Sequence, residues 1–412
     1  MQRFGTWIIL GIATLSTTAL ATEWPKWLGP EGNGISTDKI AEQWPADGPK
    51  KLWSQTVGLG YSSVVAVDGK VYFFGMQGAN DVLTAMDAGT GKVLWAESSK
   101  VGHKPSQNQA ANPQNGLPLP DATPTIDADR IYTYGGGGDL IARNLADGKA
   151  VWQLNVLDET GAKNLAWSEA SSPLVTAKLV YVQGGDGGAA AVAVDKATGK
   201  IAWKSEKGLG GYAAPILISA GGISQVIFFG GKTLYSFDPQ TGKTIWKQPW
   251  DTQYDVNAST PIFSDGHLFI TSGYGHGCAM FTISATAAKL DWKGKEISSK
   301  FQPCILDNGK LYGNSGGILK CMTWPTKDVV WSSRDVELNE GGSFVIDGNL
   351  MIALGEKGKL SLVKLDDPAG PKVVSDMDAF TTSPIWSAPV IYHGKLYIHG
   401  KDQLVCLDIG GK

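Results

Sequence analysis

Short apolar or alternating runs recur along nearly the whole chain, and each is bounded by Gly, Asp or Asn. In the first unit they are SVVAV (63–67), VYFFG (71–75), LTAMD (83–87) and VLWAE (93–97). Runs this short, rich in β-branched and aromatic residues and punctuated by turn formers, predict strands rather than helices. DGK at Asp68–Lys70 predicts a hairpin turn with Gly69 at positive φ. DNGK at Asp307 and HGK at His393 repeat that turn, and DGH at Asp265 and DGN at Asp347 vary it.

The unit has a signature. AMDAGTGKVLW (85–95), AVDKATGKIAW (193–203) and SFDPQTGKTIW (236–246) share an aspartate, a Thr-Gly pair, a lysine and a closing tryptophan. ARNLADGKAVW (142–152) carries Asp147 in place of the threonine. A reactive constellation is not copied along a chain, whereas a structural unit is. The ruler is Trp53, Trp95, Trp152, Trp203, Trp246, Trp292 and Trp331, with spacings of 39 to 57 residues; the next slot, near Val374, has lost its tryptophan. These seven indoles are predicted to dock each unit on its neighbour.

Four antiparallel strands per unit cannot bury both faces, so the units must stack radially. First strands are expected to begin near Ser62, Ala122, Ser171, Ala213, Ser259, Gln302, Gly342 and Ser387, which makes eight. The last unit runs out of chain after three strands, and KLWSQTV around Trp53 is an orphan fourth. The fold class is therefore all-β: an eight-bladed β-propeller of four-stranded antiparallel blades, its ring closed by the N-terminal strand completing the last blade. Residues 51–412 form it, and residues 22–50 are a Trp/Pro-rich segment expected to pack on it.

Composition narrows the setting. The chain has 36 basic and 39 acidic residues among 412, with no basic stripe, so nucleic acid is not an expected partner. The 53 glycines lack a collagen period and fit many tight turns. Arg3, an apolar run and Ala19-Leu20-Ala21 read as a signal peptide over residues 1–21, with Thr22 the first mature residue. No cysteine follows the cleavage point, so no lipid attachment of the bacterial lipoprotein kind is expected, and no later run is long enough to span a bilayer. The expectation is an exported monomer, periplasmic or secreted. Cys278, Cys304, Cys321 and Cys406 read as buried free thiols, with a Cys304–Cys321 disulfide the alternative.

The docking repeats resemble those of pyrroloquinoline-quinone (PQQ) propellers, a family that includes quinoprotein alcohol dehydrogenases and BamB-type lipoproteins of outer-membrane protein assembly. The resemblance spans about residues 51–412. WPKWLGPEGNGIS (24–36) is similar to the leader of secreted PQQ-like repeat proteins. The dehydrogenases imply PQQ, a calcium ion and a catalytic aspartate, with the cofactor covered by a disulfide between neighbouring cysteines. No two cysteines here are neighbours. No catalytic residue and no metal ligand is carried over.

A candidate ligand mouth lies where chain segments feed the first strands. YSSVV, YAAPI and WSAPV place Tyr61, Tyr212 and Trp386 at one repeat position. Neighbouring segments add Trp167, Glu169, Tyr254, Asp255, Asn257 and Glu340. Aromatics beside hydrogen-bonding groups suit a planar ring, a sugar or a peptide, or else simply fill the channel. GGGG (135–138) and GGDGG (184–188) lack the Lys-Ser/Thr of a phosphate loop, the five histidines lack zinc spacing, and there is no GxSxG. Residues 101–120 form a polar insertion between units one and two. Three functions remain: a non-catalytic scaffold binding an envelope protein, a PQQ-dependent oxidoreductase with a divergent site, and a sugar- or peptide-binding module.

Overall fold

The computed structural model describes residues 23–105 and 112–411. The signal-peptide segment and part of the insertion lie outside these residues. Eight antiparallel sheets follow one another along the chain. Blade one consists of Val65–Val67, Lys70–Gln77, Asn80–Asp87 and Val93–Lys100. Blades two to seven occupy residues 125–155, 174–204, 216–249, 262–294, 305–333 and 343–378. Blade eight takes Val390–Tyr392, Lys395–Gly400 and Gln403–Asp408, and its outer strand is Lys50–Thr56, with Trp53 opposite Cys406. The two ends of the chain thus share one sheet, and the ring has no open edge.

The tryptophan signature is a joint between blades. Asp87 Oδ1 accepts from the Thr90 N–H at 2.8 Å and the Thr90 hydroxyl at 2.7 Å, closing the turn between third and fourth strands. Asp195 with Thr198 and Asp238 with Thr241 repeat this. The glycine that follows takes positive φ, and the indole of the preceding blade lies on it. A Cβ on Gly91, Gly148, Gly199 or Gly242 would fall 2.5–2.7 Å from Trp53, Trp95, Trp152 or Trp203 respectively. The indole N–H then reaches a carbonyl of the next blade: Trp53 to Ala88, Trp152 to Lys196, Trp203 to Pro239 and Trp292 to Pro325, at 2.9–3.1 Å. Trp246 donates instead to Gln225 Oε1 within its own blade, and the Gln225 amide passes the link on to Ser284 O.

Blade seven shows how the missing tryptophan is replaced. Ser375 pairs with Leu362 as Trp95 pairs with Ala85, so it holds the vacant slot. The Trp44 N–H donates to Ser375 Oγ at 3.0 Å, and Trp44 is buried with Val374 and Met377. The N-terminal segment therefore covers this slot through the Trp44 backbone, and the Trp44 indole is buried nearby with its Nε1 unpartnered among the described residues.

Residues 23–36 run among the innermost strands at the end of the channel opposite the mouth. Trp24 and Ala66 exchange two backbone hydrogen bonds at 2.8 Å, and Pro25 O accepts from Ile126. Trp27 Nε1 reaches Thr260 Oγ1 at 3.1 Å, and Ile35–Ser36 pair in parallel with Ile346–Asp347, giving blade seven a fifth strand. One segment thereby touches blades one, two, five and seven.

The regular first strands begin at Val65, Thr125, Leu174, Ile216, Ile262, Ile305, Ser343 and Val390, one to three residues later than the sequence suggests. The preceding residues are mostly buried; Ser62 and Ser387 bond within their own blades through their hydroxyls, while others bond across blades. Ala388 N donates to Ser63 Oγ, Ser63 N to Thr123 Oγ1 and Thr123 N to Ser172 Oγ, at 2.8–3.0 Å. Small hydroxyl residues here staple neighbouring blades at the narrowest radius. A one-turn helix, Val156–Thr160, capped by the Asn155 side chain, and a two-stranded ribbon, Asp186–Ala189 with Lys207–Leu209, are additions that repeat reasoning did not foresee.

Candidate functional site

The mouth face is built by the segments that enter first strands and by the turns between second and third strands. One group of rings spans blades eight, one and six. Tyr61 and Trp386 have centroids 4.5 Å apart, and Phe301 lies 4.8 Å from Trp386. Trp386 Nε1 donates to Glu356 Oε1 at 2.7 Å, and its carbonyl accepts from the Gln302 amide. Burial, then the charges of Asp121 and Glu356, push the Tyr61 hydroxyl up to about 12, so it stays neutral.

A second group spans blades three to five. The Trp167 N–H donates to the Tyr212 hydroxyl at 3.3 Å. Tyr212 N and Ala213 N both donate to Asn257 O. Asn257 is fully buried; its amide donates to Gly230 O and Gly231 O, and its Oδ1 accepts from Ser272. It braces blades four and five and offers nothing to a ligand. Glu169 is also fully buried, with its N–H on Gly136 O, and burial pushes its carboxyl up to about 8, so it is protonated at neutral pH.

The third group stands on the rim of blades five and six. Tyr254 and Tyr274 meet edge to face at 4.9 Å, and each is more than two-fifths exposed. Lys300 Nζ sits 5.0 Å from the Tyr274 ring and 4.9 Å from that of Phe301, and it pairs with Glu340 at 3.0 Å. Asp255 pairs with Lys232 at 3.7 Å. Beside them, Trp250 packs on His276 at 4.7 Å with Lys293 Nζ over its ring at 4.3 Å.

The nine mouth residues named from the sequence therefore fall into three neighbouring groups, not one. Phe301 was legible, because it fills the same repeat slot as Tyr61, Tyr212 and Trp386. Glu356, Tyr274 and Trp250 come from turns and a strand end that repeat position alone does not mark. Cys278, Cys304, Cys321 and Cys406 are all buried free thiols. Burial pushes the Cys278 and Cys321 thiols up to about 11, which makes them poor nucleophiles.

These donors do not fit PQQ with calcium. The mouth rings are engaged with one another, the cysteines are scattered through core strands, and among the described residues no group of three or more His, Cys, Asp or Glu could hold a metal ion.

Fold and mouth together define a tryptophan-docked eight-bladed propeller with a self-packed aromatic mouth. A family model described as outer membrane protein assembly factor BamB matches residues 43–167 and 79–333, more than half of the chain, and the chain belongs to that family. The BamB of Yersinia pestis is 25% identical over 399 residues, covering 87% of this chain and 88% of that protein. The crystal structure of BamB from Moraxella catarrhalis superposes with a TM-score of 0.62 at 15% identity, over 87% of this chain and 96% of the other. Quinohemoprotein alcohol dehydrogenase from Comamonas testosteroni superposes with a TM-score of 0.68, also at 15% identity, over 95% of this chain and 81% of that one. At such identities both structures speak for the fold alone.

Proposed function

We propose that this chain is an exported, non-catalytic propeller that binds a protein of the cell envelope and serves outer-membrane protein assembly, as the name of its relatives describes. It would act in the periplasm, where the N-terminal signal sequence would deliver it. The observation that carries this reading is the exposed Tyr254–Tyr274 pair beside Lys300 and Glu340, on the mouth face of a chain from an assembly-factor family. Exposed aromatics flanked by ion pairs form a rim that an extended polypeptide can cover with apolar and charged groups together. The rings deeper in the mouth hold one another and stiffen that rim.

A photo-crosslinking residue at position 254 tests the proposal in living cells. The expected product is a discrete adduct with an outer-membrane assembly protein, absent when the same residue replaces Leu94 on the outer flank of blade one. Adducts of equal yield at both positions overturn it. Titration with PQQ at saturating calcium, against calcium alone, tests the catalytic alternative. Saturable fluorescence quenching that needs PQQ, with dye-linked alcohol oxidation, would replace the scaffold reading by an enzyme.

A further inference from the structure

The polar insertion returns to the propeller through residues 118–120. Pro120 O accepts from the Tyr61 N–H at 3.2 Å, and a Cβ on Gly136 would meet Leu119 O at 2.4 Å. This limb therefore lies directly on the junction of blades one and two. The same junction contains three side-chain oxygens that are shut off from solvent and have no hydrogen-bond partner among the described residues: Asp81 Oδ1, Asp121 Oδ1 and Thr133 Oγ1. Asp81 is 2% exposed and Thr133 is fully buried.

Strand alternation brings these groups to one place. Residues 131, 133 and 135 share a face. Ile131 packs with Leu83 of blade one, two residues along the strand from Asp81. A Cβ on Gly135 would lie 2.6 Å from Asp81 Oδ2. The Thr133 hydroxyl thus stands on the face against which the Asp81 carboxyl is pressed. Asp121 leads the chain into blade two, within electrostatic reach of Asp81. Asp139 is the other acid nearby, and its oxygens are already taken by Gly102 N and the Asn155 amide. No lysine, arginine or histidine is among the groups acting on Asp81 or Asp121.

We propose that the junction of blades one and two holds a hard divalent cation, calcium in particular, between the Asp81 and Asp121 carboxylates and the Thr133 hydroxyl, beneath the 118–120 limb. Every unsatisfied atom here is an oxygen with a free lone pair; the Asp121 carboxyl is reached by the Tyr61 N–H, and the Thr133 hydroxyl can also donate. Hard cations take oxygen ligands, and calcium completes irregular shells of six to eight with carbonyls and water. Buried carboxylates without a counter-charge must otherwise be protonated. Burial, then Asp139, pushes Asp81 up to about 8, and burial holds Asp121 well above the usual carboxylate range. The cation therefore competes with protons and releases them on binding. The site is separate from the mouth and stands independently of the scaffold function.

The test is titration of the full-length chelator-treated protein with calcium chloride, read by calorimetry and by melting temperature. One saturable site is expected, with Kd on the order of 10⁻⁴–10⁻³ M, as in extracellular modules of low ligand charge. Affinity should rise from about pH 6 to about pH 8.5, with proton release seen as a buffer-dependent heat. Asp81→Asn and Asp121→Asn each abolish the heat and the melting shift, while Asp378→Asn, on the outer strand of blade seven, leaves both unchanged. Asparagine resembles the protonated acid in shape, so both variants keep the native circular dichroism spectrum without calcium. If one does not, Thr133→Val, which retains shape and both acids, must weaken binding. Absence of any calcium-dependent heat, or a response that survives these substitutions, overturns the proposal.

Discussion

The indole of Trp203 lies against the backbone of Gly242 in the next blade, so closely that a Cβ on Gly242 would come within 2.5 Å of the ring. The same indole donates to Pro239 O at 2.9 Å, three residues earlier in the same turn. One glycine thus does two jobs: it takes φ of +69° and it leaves room for a tryptophan.

Those jobs are separable by substitution. Gly242→Ala combines left-handed backbone strain with a collision against a rigid ring. Gly266→Ala meets only the strain, since nothing lies within 4 Å of a Cβ there and its φ is +78°. Gly266→Ala is expected to cost about 1–2 kcal/mol, and Gly242→Ala a further ~1–3 kcal/mol from overpacking. Chemical denaturation of the two variants measures the difference. Equal losses would mean that the indole moves aside freely.

Truncating the ring tests the other side of the joint. Trp203→Ala should lower stability by about 3–5 kcal/mol, the usual range for a buried tryptophan. Trp203→Phe keeps much of the contact and gives up the bond to Pro239, so a smaller loss of about 1–2 kcal/mol is expected. An unchanged melting temperature in the alanine variant would remove the docking role.

Stability should respond to pH through His399. Its ring is buried against Phe73 at 4.3 Å, and burial lowers its pKa from 6.5 to about 4. Below about pH 6.5 the unfolded chain binds a proton that the folded chain refuses. Stability from this group is therefore complete above about 6.5 and declines as pH falls toward 4, by up to ~3 kcal/mol. His399→Gln should flatten the slope in that window, as urea midpoints at several pH values would reveal.

Glu169 acts with the opposite sign. Its folded pKa is raised to about 8, so between about pH 4.5 and 8 the folded chain holds a proton that the unfolded chain has lost. Stability falls as pH rises through this window. Glu169→Gln should gain stability over the parent chain at about pH 8, on the order of 1–3 kcal/mol, and lose that advantage near pH 4.5. A variant less stable at every pH would show that the carboxyl is needed for packing.

The N-terminal segment can be read by hydrogen exchange. Deleting residues 23–36 removes the acceptors of Ala66, Ile126 and Ile346, which bond to Trp24, Pro25 and Gly34 at 2.7–3.0 Å. Those three amides should lose protection selectively, while Tyr72 and Ile352 in the second strands keep theirs. Uniform loss across the ring would mean that the segment is essential to the whole fold.

The blades were legible because every repeat carries its own instructions. The Asp–Thr turn, the positive-φ glycine and the indole lie within eleven residues of chain, and local chemistry dictates each one. Repetition then implied a ring, and the orphan strand at Trp53 implied its closure. Where local signals faded the reading became coarser. First strands begin later than their residues suggest, because Ser62 bonds to Phe74 of its own blade only through its side chain, and the Ser63 N–H bonds across to Thr123 of blade two. No local pattern reveals that Trp44 would stand beside Ser375 of blade seven.

The candidate site divides in the same way. A shared repeat slot put Tyr61, Tyr212 and Trp386 on one face, since equivalent positions in a propeller are equidistant from its axis. Which of them would touch was a tertiary matter. Tyr61 meets Trp386 because blades one and eight are neighbours only after the ring closes. Asn257 and Glu169 look like ligand groups in sequence, yet both are fully buried. Sequence by itself determined the unit, the number of units and the face on which aromatics gather, because turn chemistry and strand periodicity act over a few residues. Tertiary structure alone decided which side chains pair, which carboxyls are buried without a counter-charge and which segment crosses the channel end, because those depend on contacts between residues tens to hundreds of positions apart.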